Sequence, residues 1–176
     1  MNLQALIVDS INQSTINVFS TMLAIELVPG QVSLEQSTPE GNDGVMSFIG
    51  VAGSWAGTGT VSCSPIMACR ICSQMLLLNA TVMDEEVLDA IAELTNMIIG
   101  NVTTELEPHL GPLALSIPTV VFGRNFRSKT AGSTEWVAVR FAWEGECLLV
   151  RLCLAPSEKR IHRLPRLPDY AGALEF

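Results

Sequence analysis

Along the first 25 residues, apolar side chains recur at Leu3, Ile7, Ile11, Phe19 and Met22, separated by three, four or eight positions. That spacing marks one face of an α-helix, and Pro29-Gly30 predicts its end. A strand is expected at about 31–38, where Val32 and Leu34 alternate with polar neighbours, and the stretch from Pro39 to Gly44 has loop composition. Further strands are expected near 45–52 and 57–63. Ser64 before Pro65 combines an N-cap hydroxyl with a first-turn proline, so a helix should run from there to about Leu78. Asp84 followed by Glu85 and Glu86 opens a longer helix, expected to reach about Leu106, just before Pro108. Strands near 113–123, 134–143 and 147–154 follow, the last two joined by a two-residue turn at Glu144-Gly145. The order αβββααβββ predicts an α+β fold, a largely antiparallel sheet with long helices packed on it.

The chain also repeats itself. A shift of 79 positions lays residues 10–39 on 89–118 without a gap, pairing Asn17 with Asn96, Glu26 with Glu105, Leu27 with Leu106, Pro29 with Pro108, Leu34 with Leu113, Ser37 with Ser116 and Pro39 with Pro118. Seven identities in thirty positions exceed the roughly two expected from residue usage. Both segments read as helix, proline break, strand, which implies a duplicated helix-plus-sheet unit.

Composition narrows the class. A chain of 176 residues with 48% hydrophobic and 16% charged side chains has the material for one core, assigned here to residues 1–155. Residues 156–176 change in texture: Pro156, Pro165 and Pro168 punctuate Lys159, Arg160, His162, Arg163 and Arg166, a basic C-terminal tail. No apolar run approaches the roughly 18 residues of a membrane span. The N-terminus lacks the basic and apolar regions of a secretory signal, so a soluble cytoplasmic protein is expected. A formal net charge of -8 argues against a nucleic-acid partner. Among the ten Lys and Arg only Arg70 precedes residue 124, whereas seven acids fall between Asp84 and Glu107. That distribution calls for a partner with a cationic contact. Cys69-x2-Cys72 has the spacing of a metal or redox pair, but His109 and His162 stand in no ligand-like spacing with it, so the pair reads as core filling and no metal is expected.

Each residue of the long helix advances about 100° around the axis. Relative to Glu93, Glu86 then lies at about +20°, Gly100 at about -20°, Asp89 at about -40° and Asn96 at about -60°. These five form a polar stripe, and Val87, Ile91, Leu94, Ile98 and Val102 define the opposite, buried face. Asn and Gly both weaken a helix interior, and their presence on an exposed stripe suggests a surface kept for contact, with Gly100 allowing close approach.

Asp89-x3-Glu93-x2-Asn96-x21-Pro118 resembles the signature [DS]-x3-E-x2-N-x21-P of the CheC/CheX/FliY family of response-regulator phosphatases. The resemblance covers about residues 1–154 and is nearest to the CheX branch, because only one full motif is present; Ser10-x3-Ser14-x2-Asn17-x21-Pro39 keeps the spacing with Ser14 in the place of Glu. It implies a pseudo-duplicated fold, a homodimer, and hydrolysis of the phospho-aspartate of a CheY-like receiver. The strand at 147–154 could supply the dimer with an edge or a covered face. By the same resemblance Asn96 positions the water and Glu93 pairs with the receiver's active-site Lys; from their places on the stripe and beside it, Asp89, Glu86 and Gly100 are expected to border the contact and Pro118 to shape the neighbouring strand. No cofactor is expected on this chain, since Mg2+ would be held by the receiver. A non-catalytic receiver-binding or flagellar-switch adaptor using the same helix is the alternative.

Overall fold

The computed structural model describes residues 2–36, 44–124 and 135–157. Within them α1 (Leu3–Met22), β1 (Val28–Glu35), β2 (Gly44–Gly53), β3 (Trp55–Cys63), α2 (Pro65–Leu76), α3 (Glu85–Leu110), β4 (Leu113–Leu115), β5 (Thr119–Gly123), β6 (Trp136–Trp143) and β7 (Glu146–Pro156) follow in order. The fold is α+β with an antiparallel sheet, as expected. Most of the basic tail, and Pro39 of the first repeat, lie outside the described residues.

The sheet runs β1-β6-β7-β3-β2-β4, with β5 also paired to β2. Exchanging the first three strands for the last set reverses this order onto itself: β1 exchanges with β4, β6 with β2 and β7 with β3. Each repeat therefore lays its first strand against the hairpin of the other, and the central pair β3/β7 joins the halves. Because β7 is central, paired with both β3 and β6, it offers no free edge to a second copy, contrary to one expectation. The strands at the rims are β1, β4 and β5.

One core unites the three helices with alternate residues of a single sheet face: Ile11 and Phe19 of α1, Met67 and Ile71 of α2, Ile91, Leu94 and Ile98 of α3, and Val61, Val139 and Val150 beneath them. Cys69 and Cys72 belong to this core, which accounts for their spacing on the inner side of α2. Val32 and Leu34, expected to bury one face of β1, are instead exposed; the strand lies at the rim of the sheet. Met22 is exposed as well, because the helix ends there and Leu23, Ile25 and Leu27 are buried in alternation with exposed Ala24 and Glu26.

The equivalent stretch of the second repeat stays helical. Leu106 and Leu110, one turn apart, are both buried, and α3 runs through Pro108 instead of stopping before it. Burial of Leu110 and the 2.9 Å bond from Gly111 N–H to Glu107 O hold this extra turn. Pro29 and Pro108 thus align in sequence but lie in a strand and a helix. The helix starts agree with the reading: Ser64 Oγ accepts from Met67 N–H at 3.1 Å, and Asp84 Oδ1 accepts from Val87 N–H at 3.0 Å. Glu144 and Gly145 both have positive φ, 47° and 82°, as a type I′ hairpin turn requires.

Candidate functional site

The strand expected at 113–123 is broken in two by a bulge that shapes the site. Leu115 pairs with Val51 and Thr119 with Phe48, so Ser116, Ile117 and Pro118 oppose only Ile49 and Gly50. Such an extra residue bends a strand and redirects its side chains. Here the bulge is pinned: Ser116 N–H donates to Gly50 O at 2.9 Å, and Gly50 N–H donates to Ser116 Oγ at 2.8 Å.

Facing the bulge is the polar stripe of α3. Asp89, Ala92, Glu93 and Asn96 form one wall of an open groove of roughly 370 Å3, and Leu115, Ser116, Ile117 and Pro118 form the other. Four of the six sequence-selected positions, Asp89, Glu93, Asn96 and Pro118, therefore meet at one place although 21 residues separate Asn96 from Pro118. Glu86 is exposed one turn before Asp89, outside the groove. Gly100 lies beyond its other end, half-buried, where a Cβ would meet Leu115 Cδ1 at an ordinary 3.8 Å. Internal packing therefore does not demand glycine at that position.

Use of the carboxylates distinguishes the stripe from the rest of the helix. Glu105 accepts from Ser14 Oγ at 3.3 Å and Glu107 accepts from Leu113 N–H at 2.9 Å, so both serve the fold. Asp89, Glu93 and Asn96 are exposed and, among the described residues, their side chains enter no hydrogen bond or ion pair. Glu93 and Asn96, at i and i+3, project from the same side of the helix. The arrangement offers a carboxylate and a carboxamide, side by side, to something that enters from solvent. Its buried side is rigid: Leu94, Thr95 and Ile98 are at most 1% exposed, and Thr95 Oγ1 donates to Ile91 O at 2.7 Å.

The first repeat is built differently. Ser10 and Ser14, at the positions of Asp89 and Glu93, are buried, and Ser14 is tied to Glu105 of α3. A glutamate at residue 14 would bring a second carboxylate against Glu105, a like-charge contact in a partly buried place. Of the three motif positions Ser10, Ser14 and Asn17, Asn17 alone is exposed. The sequence reading missed Ile117, which stands 88% exposed on the groove's rim. The only available signal was its place just before Pro118.

Among the described residues, no helix is long and apolar enough to cross a membrane. No curated protein matches the chain in sequence. Solved structures do match. A CheC-like superfamily protein from Shewanella sp. PV-4 is 25% identical, with a TM-score of 0.75 over 88% of this chain and 99% of that one. Chemotaxis protein CheX from Vibrio vulnificus is also 25% identical, with a TM-score of 0.72 over 85% of this chain and 99% of that one. The CheX of a CheX–CheY–BeF3–Mg2+ complex from Borrelia burgdorferi, at 23% identity, shares the fold with a TM-score of 0.69 over 84% and 96% of the two chains. The family model described as chemotaxis phosphatase CheX matches residues 45–142, which span β2 to β6 and include the whole of α3 and the bulge. The chain belongs to the CheX family.

Proposed function

We propose that this protein is a phosphatase for the phospho-aspartate of a CheY-like response regulator, with α3 inserted at the receiver's active site. The observation that carries the reading is the pairing of exposed, unengaged Glu93 and Asn96 on one face of α3, beside a groove closed by the Pro118 bulge. The family's description as a chemotaxis phosphatase supports the activity, and the complex of a CheX with CheY, BeF3 and Mg2+ supports the kind of partner.

An acyl phosphate is already reactive, so hydrolysis needs a water molecule held in line with phosphorus. The Asn96 carboxamide accepts a hydrogen bond from that water and adds no charge to repel the phosphoryl oxygens. Water oxygen forms the new bond to phosphorus, the bond from phosphorus to the aspartyl oxygen breaks, and inorganic phosphate leaves a free carboxylate on the receiver. Mg2+ belongs to the receiver in this scheme. Glu93 would be repelled by the phosphoryl group, and its role is to pair with the receiver's Lys. Asp89 and Glu86 extend the acidic border toward the start of α3, and Gly100 leaves the other end low.

Glu93→Gln separates docking from chemistry, because it keeps shape and removes charge. The variant should bind a fluoroberyllate- and Mg2+-loaded receiver more weakly at low salt, and the gap from wild type should close as salt rises. Equal affinity at low salt would remove Glu93 from the docking contact. A wild-type protein that binds such a receiver without accelerating loss of phosphate would instead be an adaptor.

A further inference from the structure

We propose that Ile117 is an apolar anchor for the receiver, seated beside Glu93 and Asn96; this rests on reading the groove as the receiver's docking site. At 88% exposure Ile117 contributes almost nothing to the protein's own core. It is nevertheless held in place. Its carbonyl accepts from Ser116 Oγ at 3.0 Å, Ser116 is bonded to Gly50 in both directions, and Pro118 follows with a fixed φ. Ile117 sits in the middle of the bulge, where pairing with β2 is interrupted between Leu115 of β4 and Thr119 of β5, and its side chain points to solvent.

An apolar, β-branched side chain carried on a pinned backbone is costly to hydrate and has few rotamers to lose, a combination that favours an interface anchor. The occupant follows from continuity: Ile117 lines the same groove as Glu93 and Asn96, so a receiver reached by those two side chains must also meet it. The division of labour is physical. Charge on Glu93 steers and orients the encounter but weakens with salt, whereas burial of Ile117 resists salt and excludes water from the rim around the reacting phosphoryl group.

The experiment measures affinity of wild type, Ile117→Ser and Ile117→Leu for a CheY-type receiver loaded with fluoroberyllate and Mg2+, chosen as the tightest binder to wild type in a panel. Ile117→Ser should raise Kd by about tenfold or more, equally at low and high salt, and Ile117→Leu should stay close to wild type. In turnover of phosphorylated receiver the loss should appear as a raised KM for Ile117→Ser that Ile117→Leu restores, and the thermal midpoint should not move because the side chain is outside the core. An unchanged Kd for Ile117→Ser overturns the anchor, whatever the activity. Binding that depends on Ile117 without any phosphatase activity in wild type overturns the catalytic reading and leaves the anchor standing. Failure of wild type to bind any receiver overturns both.

Discussion

Gly59→Ala tests how α3 is seated on the sheet. Gly59 lies on β3, between Ile49 of β2 and Leu152 of β7, and Ile99 of α3 packs directly over it. A Cβ at residue 59 would stand 2.9 Å from both Cδ1 and Cγ1 of Ile99 and 3.0 Å from its Cγ2. Ordinary carbon contacts lie at about 3.5–4.0 Å, so the overlap is roughly 0.5–1 Å at three atoms together. Turning Ile99 about χ1 does not relieve it, because two of the three atoms branch from the same Cβ and the residue is fully buried. The helix or the strand must therefore shift. Overpacking of this kind costs about 1–3 kcal/mol, or about 2–12 °C in Tm for a domain of this size. The assay is urea unfolding of wild type, Gly59→Ala, Ile99→Ala and the double variant. Ile99→Ala removes all three clashing atoms, so in that background Gly59→Ala should be neutral or stabilise by up to about 1 kcal/mol through reduced freedom of the unfolded chain. A neutral Gly59→Ala in the wild type, or an equal cost in both backgrounds, would refute the reasoning.

Two further perturbations probe the scaffold. Burial, reinforced by Glu146, Cys69 and Cys147, pushes the Cys63 thiol up to about 12 from 9.0; above about pH 9 the unfolded chain releases a proton that the native state keeps, so stability should fall, on the order of 1 kcal/mol per pH unit, as pH rises toward about 12. Urea unfolding of wild type and Cys63→Ala at pH 8 and 10 should show a shallower loss in the variant, and identical losses would remove Cys63 as a cause. Arg151 is buried with its Nε 3.1 Å from Glu35 Oε2, so Glu35→Ala should destabilise by about 3 kcal/mol by leaving that charge unpaired; a change within 0.5 kcal/mol, on the order of an ordinary surface substitution, would contradict the assignment.

The helices were legible because their signals are local. Asp84 and Ser64 cap where the sequence places them, and the 3.6-residue period of Val87, Ile91, Leu94 and Ile98 fixes which side of α3 is buried. The stripe carrying Glu93 and Asn96 follows from the same period. The end of α3 was not legible, since Pro108 ordinarily marks a boundary and only the tertiary burial of Leu110 carries the helix past it. Val32 and Leu34 misled because alternation reports a strand but not its place at a sheet's rim. The interleaving of the two repeats depends on long-range pairing, which no local pattern encodes. The bulge is likewise a count of three residues against two across strands far apart in sequence, and Ile117 became visible only once β4 and β5 were both seen to pair with β2.

Loss of phosphate from a phosphorylated CheY-type receiver, followed at saturating receiver with wild type and Asn96→Ala, tests the central claim most directly. Asn96 is exposed and adds no volume to the core, so the variant should keep its Tm and its affinity for the fluoroberyllate-loaded receiver. Its kcat should fall by about 100-fold or more, the loss typical of one positioned hydrogen-bonding group. Wild-type kcat in Asn96→Ala would contradict the account.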